Sequence, residues 1–364
     1  MRAAVFHEVG QTLTVETIEV DAPAPREVLV DVAASGVCHS DLHFVEGLYD
    51  ITMMGTLPAI LGHEGAGIVA AVGDAVTQFA PGNHVISCPS VFCGNCDFCL
   101  VGQTHLCQSP ATRRSLSDPP KYTLNGAPVT QFAGLSTYAE QMLVHENALV
   151  KIRDDMPLDK AALIGCGVTT GVGAVLNTAK VEPGSTVAVF GAGGIGLSAI
   201  QGARLAGARM IIAVDTVEAK LGTARDFGAT HSVDASTSDP VEAIRELTGG
   251  GADYTFEAIG LKIAAEQCFE AIRRGGLATI IGMIPQGQKI ELDGPSFLQE
   301  KKIQGSSMGS NRFRVDMPRY IEFYQQGRLL LDEMVTRTGT LDDLNEAFRA
   351  MKAGEVARTV LTMG

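Results

Sequence analysis

Val187-Ala188-Val189-Phe190 is a short, wholly apolar run, followed at once by Gly191-Ala192-Gly193-Gly194-Ile195-Gly196 and a helix-like stretch from Leu197 to Ala206. The next apolar run, Ile211-Ile212-Ala213-Val214, closes on an acid, Asp215. A GxGxxG pattern alone is a weak signal, but between a strand and a helix, with an acid ending the next strand, it is a dinucleotide-binding fingerprint. Gly191 permits the tight turn, Gly193 lets a pyrophosphate approach the backbone, and Gly196 lets the helix pack on the strand. The helix start at Gly194 and Ile195 offers free N–H groups and a positive dipole end to the phosphates. Asp215 is placed to hold the adenosine ribose hydroxyls, and its charge repels a 2′-phosphate, which favours NAD over NADP.

Further apolar runs, Tyr254–Ala258 and Leu277–Gly282, follow at helix-length intervals. Apolar strands alternating with helices predict a doubly wound parallel sheet of the Rossmann kind in an α/β fold. The chain before it reads differently. Apolar and polar residues alternate in Thr12–Glu16 and Glu27–Val32, short runs recur at Gly67–Gly73 and Val85-Ile86, and regular strands are expected again over Ser136–Glu140. That is β-rich patterning, and Leu124-Asn125-Gly126-Ala127 reads as a hairpin turn within it. Beyond about residue 308 a polar, helical tail is expected before a last strand at Arg358–Thr362. At 364 residues, two domains are the natural division.

Eight cysteines in a chain that does not open like a secretory signal point to metal rather than disulfides. Cys93, Cys96 and Cys99 are spaced by two residues each, and Cys107 follows, a pattern that fits a closed four-thiolate structural zinc site. Cys38, His63 and Cys166 make a second set, two thiolates and one imidazole, which suits a catalytic zinc with one position left open. Ser40, Asp41, His43 and Glu64 surround it with hydroxyl, acid and base groups. No uninterrupted apolar run has the ~20 residues that span a bilayer, and a net charge of −13 repels phosphate backbones, so neither a membrane nor nucleic acid is an expected partner. An acidic, cytoplasmic protein is expected.

With these motifs on the page, the chain resembles the zinc-dependent medium-chain dehydrogenase/reductase family, in particular its liver-type, class I-like alcohol dehydrogenases, nearly end to end. The resemblance implies a GroES-like catalytic domain over 1–166 and 309–364, carrying the structural zinc lobe, and an NAD-binding Rossmann domain over 167–308. It implies two zinc ions per chain, NAD, and a reversible hydride transfer between an alcohol and an aldehyde or ketone. Ser40 and His43 match the proton relay of liver-type members, Asp41 the carboxylate that orients the metal-binding His63, and Glu64 a residue just behind the metal. His39, Thr170, Lys220 and Arg358 match cofactor-contacting positions, the first and last at the pyrophosphate. Polyol-oxidising members carry Glu where this chain has Cys166, and thiol-dependent formaldehyde dehydrogenases lack a His at the position of His43, so a primary or secondary alcohol is the expected substrate. Phe132 and Met283 match pocket positions, which suits a medium-chain, terpenoid or aromatic alcohol. A non-catalytic relative would have lost ligands, and here they are all present. A homo-oligomer is implied, a dimer ahead of a tetramer, with Leu277–Ile284 and Lys302–Met308 as segments able to extend the sheet across a two-fold axis.

Overall fold

The computed structural model of the chain describes residues 1–53, 55–115 and 117–363. It forms two compact units, residues 1–166 with 312–364 and residues 167–311. Residues 309–311 group with the second unit, where the Gly309 carbonyl accepts a hydrogen bond from Asn177 Nδ2 at 3.3 Å.

In the first unit the strand Glu27–Gly36 is the spine. Val28, Val30 and Val32 alternate into a core with Val69, Val85, Met142, Val144 and Leu149, so one face of the strand is apolar, as the period-2 pattern requires. One edge pairs antiparallel with Gly65–Val72, and the other is shared by Gln141–His145 and Arg358–Thr362. His84–Ser87 and Leu149–Lys151 extend the sheet beyond Gly65–Val72.

Two details differ from the sequence expectation. The strand expected over Ser136–Glu140 starts at Gln141, because Ser136 has φ 63° and the next amides bond elsewhere, Thr137 to the Gly62 carbonyl and Tyr138 to that of Leu61. The polar tail also carries an unexpected strand, Val335–Gly339, between the helices Phe313–Gln325 and Leu344–Lys352. It runs parallel to Arg358–Thr362 at the sheet edge, where a polar outer face hides the strand period. At the expected hairpin, Asn125 and Gly126 adopt φ 51° and 81°, the pair of positive values that a type I′ turn needs. Leu116, in the long segment that precedes it, lies outside the described residues.

The second unit is a six-stranded, all-parallel sheet. Its strands are β1 (Thr186–Phe190), β2 (Met210–Asp215), β3 (His231–Asp234), β4 (Ala252–Glu257), β5 (Ile272–Ile280) and β6 (Lys302–Gly305), in the spatial order β3-β2-β1-β4-β5-β6. β1 is buried along its length and β2 along all but its ends, which is why they read as unbroken apolar runs. Helix α1 (Gly194–Ala206) follows β1 directly. The strand order reverses between β1 and β4, and ligands of such sheets bind beyond the carboxyl ends of the strands at that point. Leu277–Ile280 lies inside the sheet, paired on both sides, so among the two proposed edge segments only Lys302–Gly305 has a free edge. The helical run Leu158–Ala179 has the length and composition to cross a membrane, but 83% of its apolar window is buried inside the protein, as in a core helix.

Candidate active site

Cys38 follows the spine strand and precedes the helix His39–Val45, and His63 and Glu64 stand just before Gly65–Val72. Cys166 comes from a wide π-helical turn, Ile164–Val168, a helix irregularity often found at functional sites. These separated segments bring one ligand atom each from Cys38, His63, Glu64 and Cys166 within 4.8 Å of one another, all buried. Sulfurs and nitrogens that hold tetrahedral zinc lie roughly 3.5–3.8 Å apart, a spacing that this cluster admits, with the Glu64 carboxylate as a fourth donor beside the three expected ligands.

The electrostatics suit a cation. A hydrogen bond from the Cys166 thiol, with the charges of His63 and Arg358, holds Cys38 well below the usual thiol range despite its burial. Cys166, as donor in that bond and buried, is pushed well up. A metal held by both sulfurs would displace their protons. Burial works against charging His63, but the Asp41 carboxylate and Cys38 outweigh it and raise its pKa well above the ordinary value. Asp41 is fully buried. Its Oδ1 lies 3.1 Å from His63 Nδ1 and accepts the Gly62 N–H at 3.0 Å, while its Oδ2 accepts the Tyr138 hydroxyl at 2.8 Å.

Burial pushes Glu64 up to about 8, with the neighbouring Arg358 guanidinium opposing that rise. Arg358 is itself buried and pairs with Glu64 Oε2, while Glu64 Oε1 is enclosed without a partner among the described residues. The structure thus joins Arg358, matched from sequence to the pyrophosphate, to the metal cluster through Glu64. Ser40 Oγ lies 3.7 Å from Cys38 Sγ. His43 stacks on Tyr49 with ring centroids 6.1 Å apart, and burial lowers its pKa, which keeps the ring neutral at pH 7. Phe132 stands 6.0 Å from the His63 ring and 5.1 Å from Phe44.

The four-cysteine cluster is separate. Sγ–Sγ distances of 3.9 Å for Cys93–Cys99, 3.5 Å for Cys96–Cys99 and 3.8 Å for Cys96–Cys107 match roughly 3.8 Å, the edge of a tetrahedron with zinc–sulfur bonds of about 2.3 Å. The Asn95 and Cys96 amides donate to Cys93 Sγ and hold that thiol down to about 6, so one thiolate is ready-made. A zinc held by these four sulfurs would have no open position and would be structural.

In the second unit the glycine loop sits at the carboxyl end of β1. A Cβ on Gly196 would lie 1.8 Å from the Gly191 carbonyl, so helix α1 can approach the strand only without a side chain there. A Cβ on Gly193 would meet no protein atom within 4 Å, which leaves that face of the loop open for a phosphate group. Helix α1 has no side-chain cap, so its first amides are free to bind an anion. Asp215 ends β2 and accepts the Ala192 amide at 2.8 Å and the Val217 amide at 3.1 Å, which fixes the carboxylate beside the loop. Lys220 is half-buried in the helix that follows. Thr170 Oγ1 donates to Met308 Sδ at 3.5 Å, and His39 is exposed.

Sequence reasoning missed Tyr138 and Glu257. Tyr138 is wholly buried, and its hydroxyl needs a partner, which it finds in Asp41. Its place in the mixed run Ser136-Thr137-Tyr138-Ala139-Glu140 gave no hint of that. Glu257, wholly buried at the end of β4, was visible as the acid that closes the run Tyr254-Thr255-Phe256.

Residues 24–154 match the alcohol dehydrogenase GroES-like domain, and residues 194–326 match the zinc-binding dehydrogenase family. The chain is 40% identical over 373 residues to S-(hydroxymethyl)glutathione dehydrogenase of Paracoccus denitrificans, covering 99% of each chain. It is 40% identical over 369 residues to the class-3 alcohol dehydrogenase of Myxine glutinosa, covering 100% of this chain and 97% of that one. Among solved structures, benzyl alcohol dehydrogenase of Acinetobacter calcoaceticus matches with a TM-score of 0.92 at 34% identity, over 100% of this chain and 99% of that one. The curated relatives named here are class-3 and S-(hydroxymethyl)glutathione enzymes rather than members of the liver-type branch that the motifs resemble. The chain belongs to the zinc-dependent alcohol dehydrogenase family, enzymes that oxidise and reduce with NAD(H).

Proposed function

We propose that this enzyme oxidises an apolar primary or secondary alcohol, medium-chain, terpenoid or aromatic, and reduces the matching aldehyde or ketone. The carrying observation is the Phe132 ring, 6.0 Å from that of His63 and itself packed edge-on against Phe44, which sets aromatic surface next to the metal cluster. The likeness to a benzyl alcohol dehydrogenase supports it.

Cys38, His63 and Cys166 would hold the catalytic zinc, with Glu64 and its partner Arg358 behind it, and Cys93, Cys96, Cys99 and Cys107 the structural one. Bound there, zinc supplies a Lewis acid that makes an alcohol hydroxyl acidic, and NAD supplies the hydride acceptor. Asp41 fixes the ring and tautomer of His63. The Ser40 hydroxyl, beside Cys38, orients the substrate oxygen and takes its proton, and the neutral His43 is the base that carries it outward. Gly191, Gly193 and the first amides of α1 bind the pyrophosphate, Asp215 and Lys220 the adenosine ribose. Thr170 and His39 are assigned cofactor contacts on family resemblance.

A second substrate, S-(hydroxymethyl)glutathione, is favoured by the names of the curated relatives. It is itself a hydroxyl compound and would use the same metal centre, but it brings carboxylates that need cationic partners. NADH formation from benzyl alcohol, octanol, geraniol, and formaldehyde with glutathione separates the two. A kcat/KM for the glutathione adduct above that for every apolar alcohol would overturn the first proposal. We further infer a homodimer, supported by the free edge of β6, and sedimentation at micromolar protein tests it.

A further inference from the structure

Glu257 is wholly buried at the carboxyl end of β4, directly opposite Phe190 of β1, at the point where the strand order reverses. No basic side chain pairs with it among the described residues. Its Oε1 accepts three backbone N–H groups, from Ile259 at 2.9 Å, Gly260 at 2.6 Å and Leu261 at 3.3 Å. Its Oε2 accepts a fourth, from Gly282 at 3.1 Å. One carboxylate therefore ties the loop after β4 to the loop after β5.

These loops interlock closely. A Cβ on Gly282 would lie 2.1 Å from the Gly260 nitrogen and 2.4 Å from Glu257 Oε2, and one on Gly260 would lie 2.6 Å from the Met283 carbonyl. The first loop also touches the glycine-rich turn: the Ala258 amide donates to the Phe190 carbonyl at 2.9 Å, and a Cβ on Gly191 would lie 2.6 Å from Ile259 Cγ1. Buried carboxylates at this density of N–H donors hold backbone in one conformation, since each donor left without an acceptor is costly.

The direction of the bound dinucleotide follows from Asp215. It ends β2, so the adenosine lies over β2 and β3, the pyrophosphate over the β1 turn, and the nicotinamide half beyond β4 and β5. We propose that Glu257 is the positioning residue for the nicotinamide half of the cofactor: it touches neither cofactor nor substrate but sets the two loops that frame that half, and with them Met283. The proposal rests on NAD binding to this unit. Affinity for the nicotinamide end then depends on Glu257, and affinity for the adenosine end does not.

Glu257→Gln is nearly isosteric. Its carbonyl oxygen can serve the three donors of the 259–261 loop, but its amide then faces the Gly282 N–H, donor against donor. Titration of the purified, zinc-replete enzyme with NADH and, separately, with ADP, followed by calorimetry, reads the two ends without relying on turnover. Loss of the acceptor that fixes the Gly282 N–H predicts that NADH binds about tenfold more weakly while ADP changes less than twofold. An unchanged NADH affinity, or an equal loss for both ligands, would overturn the proposal. If the wild type binds neither ligand, NAD binding to this unit falls and the proposal with it. Should Glu257→Gln not fold, Gly282→Ala, which pushes the same two loops apart, must show the same split, and its absence would also overturn the proposal.

Discussion

Asp41 is the sharpest place to perturb the metal centre, because its three contacts can be removed one charge or one bond at a time. In Asp41→Asn the amide oxygen can keep the Gly62 N–H and the His63 Nδ1–H, and the amide nitrogen can donate to the Tyr138 oxygen, whose hydroxyl rotates to accept. The geometry survives and the charge is lost. Bonds to charged groups are worth about 1.5–3 kcal/mol and neutral ones about 0.5–1.5, so the exchange at His63 costs about 1–1.5 kcal/mol, close to tenfold in zinc affinity. Tyr138→Phe removes one neutral donor and leaves the Asp41 charge facing His63, so it should change zinc affinity less than about threefold. Asp41→Ala strips the acceptor from three buried groups and should be the worst of the series. Competition with a chromophoric chelator gives the three constants. Equal losses in Asp41→Asn and Tyr138→Phe would refute the view that the carboxylate charge acts through His63, leaving only a packing role.

Three further outcomes follow from other groups. Above about pH 8, where Glu64 is ionised, Glu64→Leu leaves the Arg358 guanidinium buried without its anion, and Arg cannot shed its proton, so the zinc-loaded protein should lose about 3–5 kcal/mol. Arg358→Met should cost less, because Glu64 can take up a proton; thermal midpoints in the reverse order would contradict this. Glu27 is pushed up by burial, but hydrogen bonds from Arg114 and the charge of Lys121 outweigh that and hold it below its ordinary value near 4.5. A lowered folded pKa gives stability that is complete above that value and is lost as pH falls through the folded one. The gap in urea midpoint between wild type and Glu27→Gln should therefore be full at neutral pH and close below about pH 4.5; a gap unchanged down to pH 3 would rule the linkage out. Cys93→Ser should reduce zinc from two ions per chain to one by elemental analysis and expose the Phe98 lobe to chymotrypsin, and retention of both ions would exclude the four-thiolate site.

What could be read from the chain alone follows from what each signal encodes. Cys93, Cys96, Cys99 and Cys107 lie close in sequence, so their spacing nearly is their geometry. The glycine turn is equally local, since Gly191 and Gly196 meet within one strand–helix junction. Inner strands of the parallel sheet announce themselves because both faces are covered, whereas Val335–Gly339, covered on one face at an edge, does not. Long-range partners carry no such mark. Tyr138 meets Asp41 across 97 residues and Arg358 meets Glu64 across 294, and neither pairing leaves a trace in residue type or period.

Asp41 and Glu257 nevertheless show that part of this second layer has a readable logic. Both are wholly buried, and each has a backbone amide as a hydrogen-bond donor. An ionised carboxylate in an apolar interior costs several kcal/mol unless it finds donors. Where an acid closes an apolar strand with no basic residue within a turn of it, as in Phe256-Glu257-Ala258-Ile259-Gly260, the nearest donors are the amides of the turn itself. A glycine three residues on lets that turn fold back over the carboxylate, as Gly260 does at φ 94°. Such an acid has been placed to fix a loop, and at the carboxyl end of a parallel strand a fixed loop faces whatever the sheet binds.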